Sequence, residues 1–404
     1  MTRDTSFGAR PLSRAVFFAC SLGACGASVR GAEPAPRDAS VTDASLGPIE
    51  GCPSRTGSPR GRWETLTTPE DLSPRAGAVV LAADRSLVIL GGSGDRAVAT
   101  DSWRFDADTN QWSRLSSAGL TPSSRYLAAV WMPETREVFL WSNLERRGAR
   151  LSLDGGARAL PTENAPRTFV QRAVWVAGQV FLGGSTHEGD HDEFTLYDPR
   201  TDRWETVLAP REQTSRGSYA MVASAREVLV WGGSDATTGT GPPRDDGWRF
   251  DVPTRRWSSV SRVNAPAPRW GHRAWWIGDA ALVWGGSDSS RIQRGGGLYS
   301  PAPDAWRPTT ALGAPGPSES SGSFEHHAVW TGSDLFAWTL ASNGASRAGR
   351  YDPRADQWFP ADPPPQAASR RESASVWLNC ALYVVGGRDV TRWAFTREVI
   401  RWVP

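Results

Sequence analysis

Few residues of this chain fall into patterns that could do chemistry. The densest is the stretch 186–193, THEGDHDE. His187 and His191, with Glu188, Asp190 and Asp192, are donors of the kind that hold a divalent cation. The surrounding glycine and acidic residues describe a loop rather than a helix face, and no cysteine completes a tetrahedral set. A solvated acidic loop is the expectation, without a metal. His272 and His326 hold related places further along, with Glu325 and His327 beside the latter. Turned to solvent they would be acid–base groups; turned inward they would simply pack. A third set is cationic: Arg146 and Arg147, Arg291 and Arg294, Arg347, and Arg388 and Arg392 followed by Trp393. Guanidinium groups could hold a carboxylate or phosphate, and Trp393 could stack on a sugar; the alternative is a solvated rim. Arg291, Arg294, Arg388, Arg392 and Trp393 are the ligand-binding candidates. No Gly-x-Ser-x-Gly elbow and no phosphate-binding glycine loop occurs. The formal net charge is +2, so no charge-driven nucleic-acid partner is indicated. No cofactor is expected.

What positions these residues is a repeat. Apolar runs end in di-glycine at Gly91-Gly92, Gly183-Gly184, Gly232-Gly233, Gly285-Gly286 and Gly386-Gly387. Two further runs, VFLWSN and LFAWTL, keep the tryptophan of VLVWGG (Trp141 and Trp338 for Trp231) but lack the glycines. That makes seven units at a period near 50, the range in which a repeat decides the fold. A second landmark keeps the register. Asp106, Asp198, Asp251 and Asp352 each precede a tryptophan by six residues (Trp112, Trp204, Trp257, Trp358). Ser300 to Trp306 keeps the spacing without the Asp, and Asp154 to Leu160 keeps it without the Trp. With 41 Gly, 30 Pro and 21 Trp and no long amphipathic helical period, each unit reads as four short antiparallel strands, a to d.

Di-glycine, an aromatic-Asp pair and then Trp, in seven units over residues 61–404 of which five carry the di-glycine, resembles the Kelch repeat. The resemblance implies an all-β fold, a seven-bladed β-propeller with strand a lining a central channel. The b–c and d–a connections would share one face, and the long b–c loops make it the ligand face. Kelch propellers are binding platforms and occasionally enzymes, and fold alone does not choose. The expected function is a protein- or glycan-binding module. The alternative is a sugar-acid mutarotase or epimerase, similar to the bacterial Kelch enzyme acting on sialic acid, for which no catalytic motif aligns. A copper site like that of galactose oxidase is not expected, because Tyr197, Tyr299 and Tyr351 stand at repeat-motif positions.

The first 60 residues differ. Arg3, Arg10 and Arg14 precede a short apolar run, which closes in Leu22-Gly23-Ala24-Cys25. This is the layout of a secretory leader, and the tetrad resembles the bacterial lipobox, which would make Cys25 the lipidated residue. Gly26, where an Asp would favour inner-membrane retention, points to an outer-membrane lipoprotein. Residues 26–60, rich in Ala, Pro, Ser and Gly, read as a disordered tether. Trp63 precedes Arg75 by twelve residues, as Trp204 precedes Arg216, Trp257 precedes Arg269 and Trp358 precedes Arg370. Residues 61–67 are therefore expected to supply strand d of the seventh blade, pairing with 397–403. Of the four cysteines, Cys52 and Cys380 would remain after processing. In an oxidising compartment they form a candidate disulfide across that closure.

Overall fold

The computed structural model describes residues 61–404, apart from 95–97, 117–119, 121–126, 186–192, 211–215, 235–240, 289, 317–324, 341–345, 366–369 and 390–393. Cys25, Cys52, His187, His191, Arg392 and Trp393 therefore lie outside the described residues. The rest forms seven four-stranded antiparallel sheets, with no helix among the described residues. In blade 1 the order is Val79–Ala83, Ser86–Leu90, Ser102–Asp106 and Gln111–Leu115, strands a to d. Blades 2 to 6 repeat it. Strand a opens each in turn: Leu127–Met132, Phe169–Val176, Ala220–Ala223, Arg273–Ile277 and Glu325–Trp330.

Blade 7 closes the ring as the spacing requires. Its sheet consists of Ala374–Leu378, Ala381–Val385, Val399–Val403 and, as the outer strand, Arg62–Thr65. Trp63 pairs with Trp402 and Glu64 with Arg401. Leu66 N–H donates to Val399 O at 2.9 Å. Residues from opposite ends of the domain thus share one sheet, which removes the open edges a linear array would leave.

The apolar side chains sort into seven clusters, one at each junction between blades. Successive residues of a strand point to opposite faces, so one face of each blade packs on the blade before and the other on the blade after. The motif tryptophan fastens five of the junctions. Its ring packs on the aromatic of strand c, as Tyr299 on Trp306 at 5.0 Å. Its Nε1–H donates to a carbonyl of the preceding blade: Trp112 to Thr67, Trp204 to Pro161, Trp257 to Leu208, Trp306 to Ser261 and Trp358 to Thr310, at 2.8–3.1 Å. A large apolar plate with a single donor suits such a seam. The tyrosines of strand c are committed likewise. Tyr299 donates to Asp304 and Tyr351 to Asp356, while those carboxylates accept Ser261 N–H and Thr310 N–H of the previous blade. Burial and the bond to Asp202 push the Tyr197 hydroxyl up to about 12, so it stays protonated.

Candidate functional site

Antiparallel order places the b–c and d–a connections at one end of every blade. That end is built on arginines. Arg75 lies four residues before strand a of blade 1 and is buried. Its Nε donates to Ser73 O at 2.9 Å, and its Nη1 to Gly91 O at 2.8 Å and Asp101 O at 3.1 Å. Its Nη2 pairs with the Asp101 carboxylate. One side chain therefore ties the start of strand a, the end of strand b and the start of strand c. Arg216 does the same in blade 4 through Gly232 O, Asp246 O and the Asp246 carboxylate. In blade 7 Arg370 pairs with Glu398. Asp246 is held down at about 2, burial opposing but bonds and charge from Arg244 and Arg216 prevailing.

The di-glycines belong to the same construction. Gly91, Gly92, Gly232, Gly233, Gly285, Gly286, Gly386 and Gly387 all have positive φ. A Cβ on Gly232 would lie 2.5 Å from His272 Cε1 and 3.0 Å from Arg269 O, both in the next blade. A Cβ on Gly386 would collide with Arg75 O. The second glycine's N–H instead donates across the junction, Gly233 to Arg269 O at 2.9 Å and Gly387 to Arg75 O at 2.8 Å. Gly271 and Gly77 return bonds to Ser218 O and Glu372 O at 2.9 and 2.7 Å. Glycine is required here by conformation and by the close backbone approach.

Blade 3 differs from the sequence register. Val180 faces Tyr197 as Val228 faces Phe250, so Gly183, not Leu182, stands where Trp231 stands in blade 4. The di-glycine is displaced by one residue and continues strand b (Gln179–Ser185). Strand a compensates with an irregularity between Val170 and Arg172. The space of the missing tryptophan goes to blade 4, since a Cβ on Gly183 would lie 2.5 Å from the Tyr219 hydroxyl. In blade 2, Asn143 replaces the glycines chemically. Its Nδ2 donates to Val170 O and its Oδ1 accepts Val170 N–H, both at 2.7 Å, reproducing a backbone pair to blade 3.

Comparison with known proteins decides the family. The family model for the KLHDC2/KLHL20/DRC7 Kelch-repeats domain matches residues 170–387, more than half of the chain. The chain belongs to the Kelch-repeat family. It is similar to Kelch domain-containing protein 2 of Homo sapiens, 24% identical over 182 residues, covering 43% of this chain and 39% of that protein. The Mus musculus protein of that name is 25% identical over the same length. Acyl-CoA-binding domain-containing protein 4 of Arabidopsis thaliana is 26% identical over 219 residues, covering 51% of this chain and 32% of that protein. The matches thus span well under half of these relatives' lengths. A Kelch propeller of this kind is in general a protein-binding module.

On the Kelch loop face, the sequence-expected arginines are spread and mostly engaged. Arg291 is 79% exposed at its side chain and pairs with Asp288 at 3.2 Å. Asp288 also accepts from Ser290 and Gln293, and the bonds from Ser290 and Arg291 hold its carboxyl well below the usual range. Arg294 Nη2 donates to Ala314 O at 2.8 Å. Arg388 lies on a short ribbon, Arg370–Arg371 with Arg388–Asp389, its guanidinium 5.3 Å from the Phe395 ring. Arg147 pairs with Glu145. Arg147 opens strand c of blade 2 (Arg147–Ser152) and Arg347 lies within strand c of blade 6 (Ser346–Asp352), so neither is a loop residue. Sequence reasoning missed two exposed apolar residues in the d–a connections. Val263 and Leu312 occupy matching turns of successive d–a connections and are 71% and 87% exposed. The repeat register, which aligns residues 261–266 with 310–315, would have found them.

His272 is not an acid–base group on the channel. It precedes strand a, is buried, and meets the Trp231 ring edge-on at 5.0 Å between blades 4 and 5. Burial holds its imidazole well below the usual range; Arg269 and Arg172 add repulsion that the Trp231 backbone only partly offsets. His327 is also buried, stacked on Trp338 at 4.9 Å; the side chain of His326 is outside the description. Among the described residues no three His, Cys, Asp or Glu cluster to hold a metal. A pH dependence follows. The folded His272 stays neutral, while the unfolded chain binds a proton below about 6.5. Stability is therefore full above that pH and falls below it by roughly 1.4 kcal/mol per pH unit. His272→Gln should flatten the loss between about pH 6.5 and 5.5, read by urea midpoints. An unchanged slope would show that His272 protonates within the fold.

Proposed function

We propose that the protein is an exported, lipid-anchored Kelch propeller that docks a protein or a glycan on its b–c and d–a face. The carrying observation is the clamp. Arg75, Arg216, Arg269 and Arg370 are buried side chains devoted to that end of the blades. Such rigid support suits a surface that must keep its shape when a partner docks. Exposed Arg291 and the apolar pair Val263 and Leu312 offer that surface mixed contacts. Binding of the mature protein to a glycan array and to cell-envelope extract tests the reading. Leu312→Asp and Arg291→Glu should weaken capture about tenfold or more at unchanged Tm, a loss of about 1.4 kcal/mol. Equal capture by both variants would remove this face from the proposal.

Export and anchoring rest on the leader and Cys25. Metabolic labelling with a palmitate analogue should mark the protein, and Cys25→Ser should abolish the label. The proposed Cys52–Cys380 disulfide belongs to the same compartment. Cys380 is disulfide-bonded and sits in the a–b turn of blade 7, beside the closing strand. With Cys20 lost with the leader and Cys25 lipidated, Cys52 is the partner left. Non-reducing peptide mapping should return the 52–380 pair; two free thiols would overturn it.

A further inference from the structure

Among the described residues, four blades carry the arginine clamp, and in three a carboxylate completes it. Asp101, Asp246 and Glu398 each stand immediately before strand c and pair with Arg75, Arg216 and Arg370. Blade 5 departs. Arg269 repeats the contacts of Arg75 one for one. Its Nε donates to the carbonyl two residues earlier, Ala267 for Ser73, at 2.9 Å in both. Its Nη1 donates to the first glycine of the pair, Gly285 for Gly91, at 2.9 and 2.8 Å. The same Nη1 donates to the carbonyl 26 residues on, Gly295 for Asp101, at 2.8 and 3.1 Å. In blade 1 the remaining nitrogen, Nη2, takes the Asp101 carboxylate. In blade 5 that residue is Gly295, which has no side chain to offer. Arg269 Nη2 has no hydrogen-bond or ion-pair partner among the described residues.

A guanidinium only 3% exposed is costly to leave without a counter-charge. Burial draws it down to about 10, eased only by the field of Asp288. It therefore remains charged at neutral pH. Asp288 does not close the clamp, since its oxygens accept from Ser290, Arg291 and Gln293 in its own loop. The place of the missing side chain admits a Cβ only with one close contact, to a backbone oxygen. A Cβ on Gly295 would have Thr309 O at 3.3 Å and Ala311 Cβ at 3.5 Å as its nearest neighbours, and Gly295 is not among the positive-φ residues. Arg294, from the same loop, lies against Gly316 at one side.

We propose that Arg269 and the gap left by Gly295 form a binding site for one carboxylate, supplied by a ligand, on the loop face of blade 5. The ligand's carboxylate takes the part that Asp101 and Asp246 play in blades 1 and 4. It accepts a charge-assisted bond from Nη2. A free small acid or a carboxylate side chain of a docked partner both have that chemistry. The site therefore does not depend on the docking reading above.

The test uses the mature protein and thermal melts at equal ionic strength in sodium chloride or sodium acetate. Acetate should raise the wild-type Tm by roughly 2 °C or more. Gly295→Asp supplies the carboxylate from within. It should melt higher than wild type in chloride alone and show no acetate response. Gly295→Ala, which adds only a Cβ, should keep the response and serves if the Asp variant folds poorly. A blocked tripeptide, acetyl-Gly-Asp-Gly-amide, distinguishes the sources. A response to it as well as to acetate assigns partner side chains; a response to acetate alone assigns free small acids. No acetate shift in wild type, or equal shifts in wild type and Gly295→Asp, would overturn the site and leave Arg269 as a clamp satisfied by three carbonyls.

Discussion

A chain lacking residues 61–67 is expected to lose its cooperative unfolding transition. The deletion removes strand d of blade 7 and with it the Trp63–Trp402 contact at 6.5 Å. It also removes the Glu64–Arg401 ion pair at 2.7 Å and the bond from Thr65 to Glu398 at 3.1 Å. Leu66, packed on the cluster between blades 7 and 1, goes too. What remains is a three-stranded terminal blade with an unpaired edge beside blade 1. Nothing else described joins the two ends of the domain in one sheet. A circular-dichroism melt should show a broad, early transition. A chain that instead begins at Gly61 should keep a sharp one, somewhat lowered by loss of the proposed Cys52–Cys380 disulfide. A sharp melt after deletion of 61–67 would show that the ring holds without its closing strand.

Arg75→Met should cost about 3–5 kcal/mol, the range for breaking a buried pair and leaving its partner charged. The loss has three parts. Asp101 keeps Ser73 N–H and Trp103 Nε1–H but loses its cation. The carbonyls of Ser73, Gly91 and Asp101 lose their buried donor. The junction with blade 7, fastened by Gly387 N–H on Arg75 O, loses its rigid support. Arg85→Met is the contrast. That guanidinium pairs with Asp108 on the surface, at 68% side-chain exposure, and such solvent-screened pairs contribute little. Urea midpoints of the two variants should differ severalfold in their displacement from wild type. Equal displacements would mean that the clamp is no more than another surface pair.

The sequence by itself determined the ring. The six-residue step from Asp to Trp spans one c–d hairpin, and the twelve-residue step from Trp to Arg spans one d–a connection. Both are local lengths of chain, so they survive wherever the blade sits and can be counted. Trp63 and Arg401-Trp402 therefore gave away the closing strand before any contact was known. The buried arginines were visible as landmarks without a purpose; the di-glycines could be read as sites of positive φ and close backbone approach, but not which backbone approaches. Gly232 matters because of Arg269 and His272, which belong to another blade. Gly183 fills the tryptophan's place because Tyr219 of blade 4 comes in to occupy the space. Asn143 stands for two glycines because its amide happens to face Val170. His272 could have faced solvent or packed inward, and the Trp231 ring and the Gly232 position next to it decide for packing. Arg269 looked like its three counterparts until the residue before strand c could be compared in space. Each of these was decided by the tertiary structure for one physical reason. Periodicity reports the local geometry of a blade, whereas burial, charge pairing and the room for a Cβ are set between residues 26 to 333 positions apart.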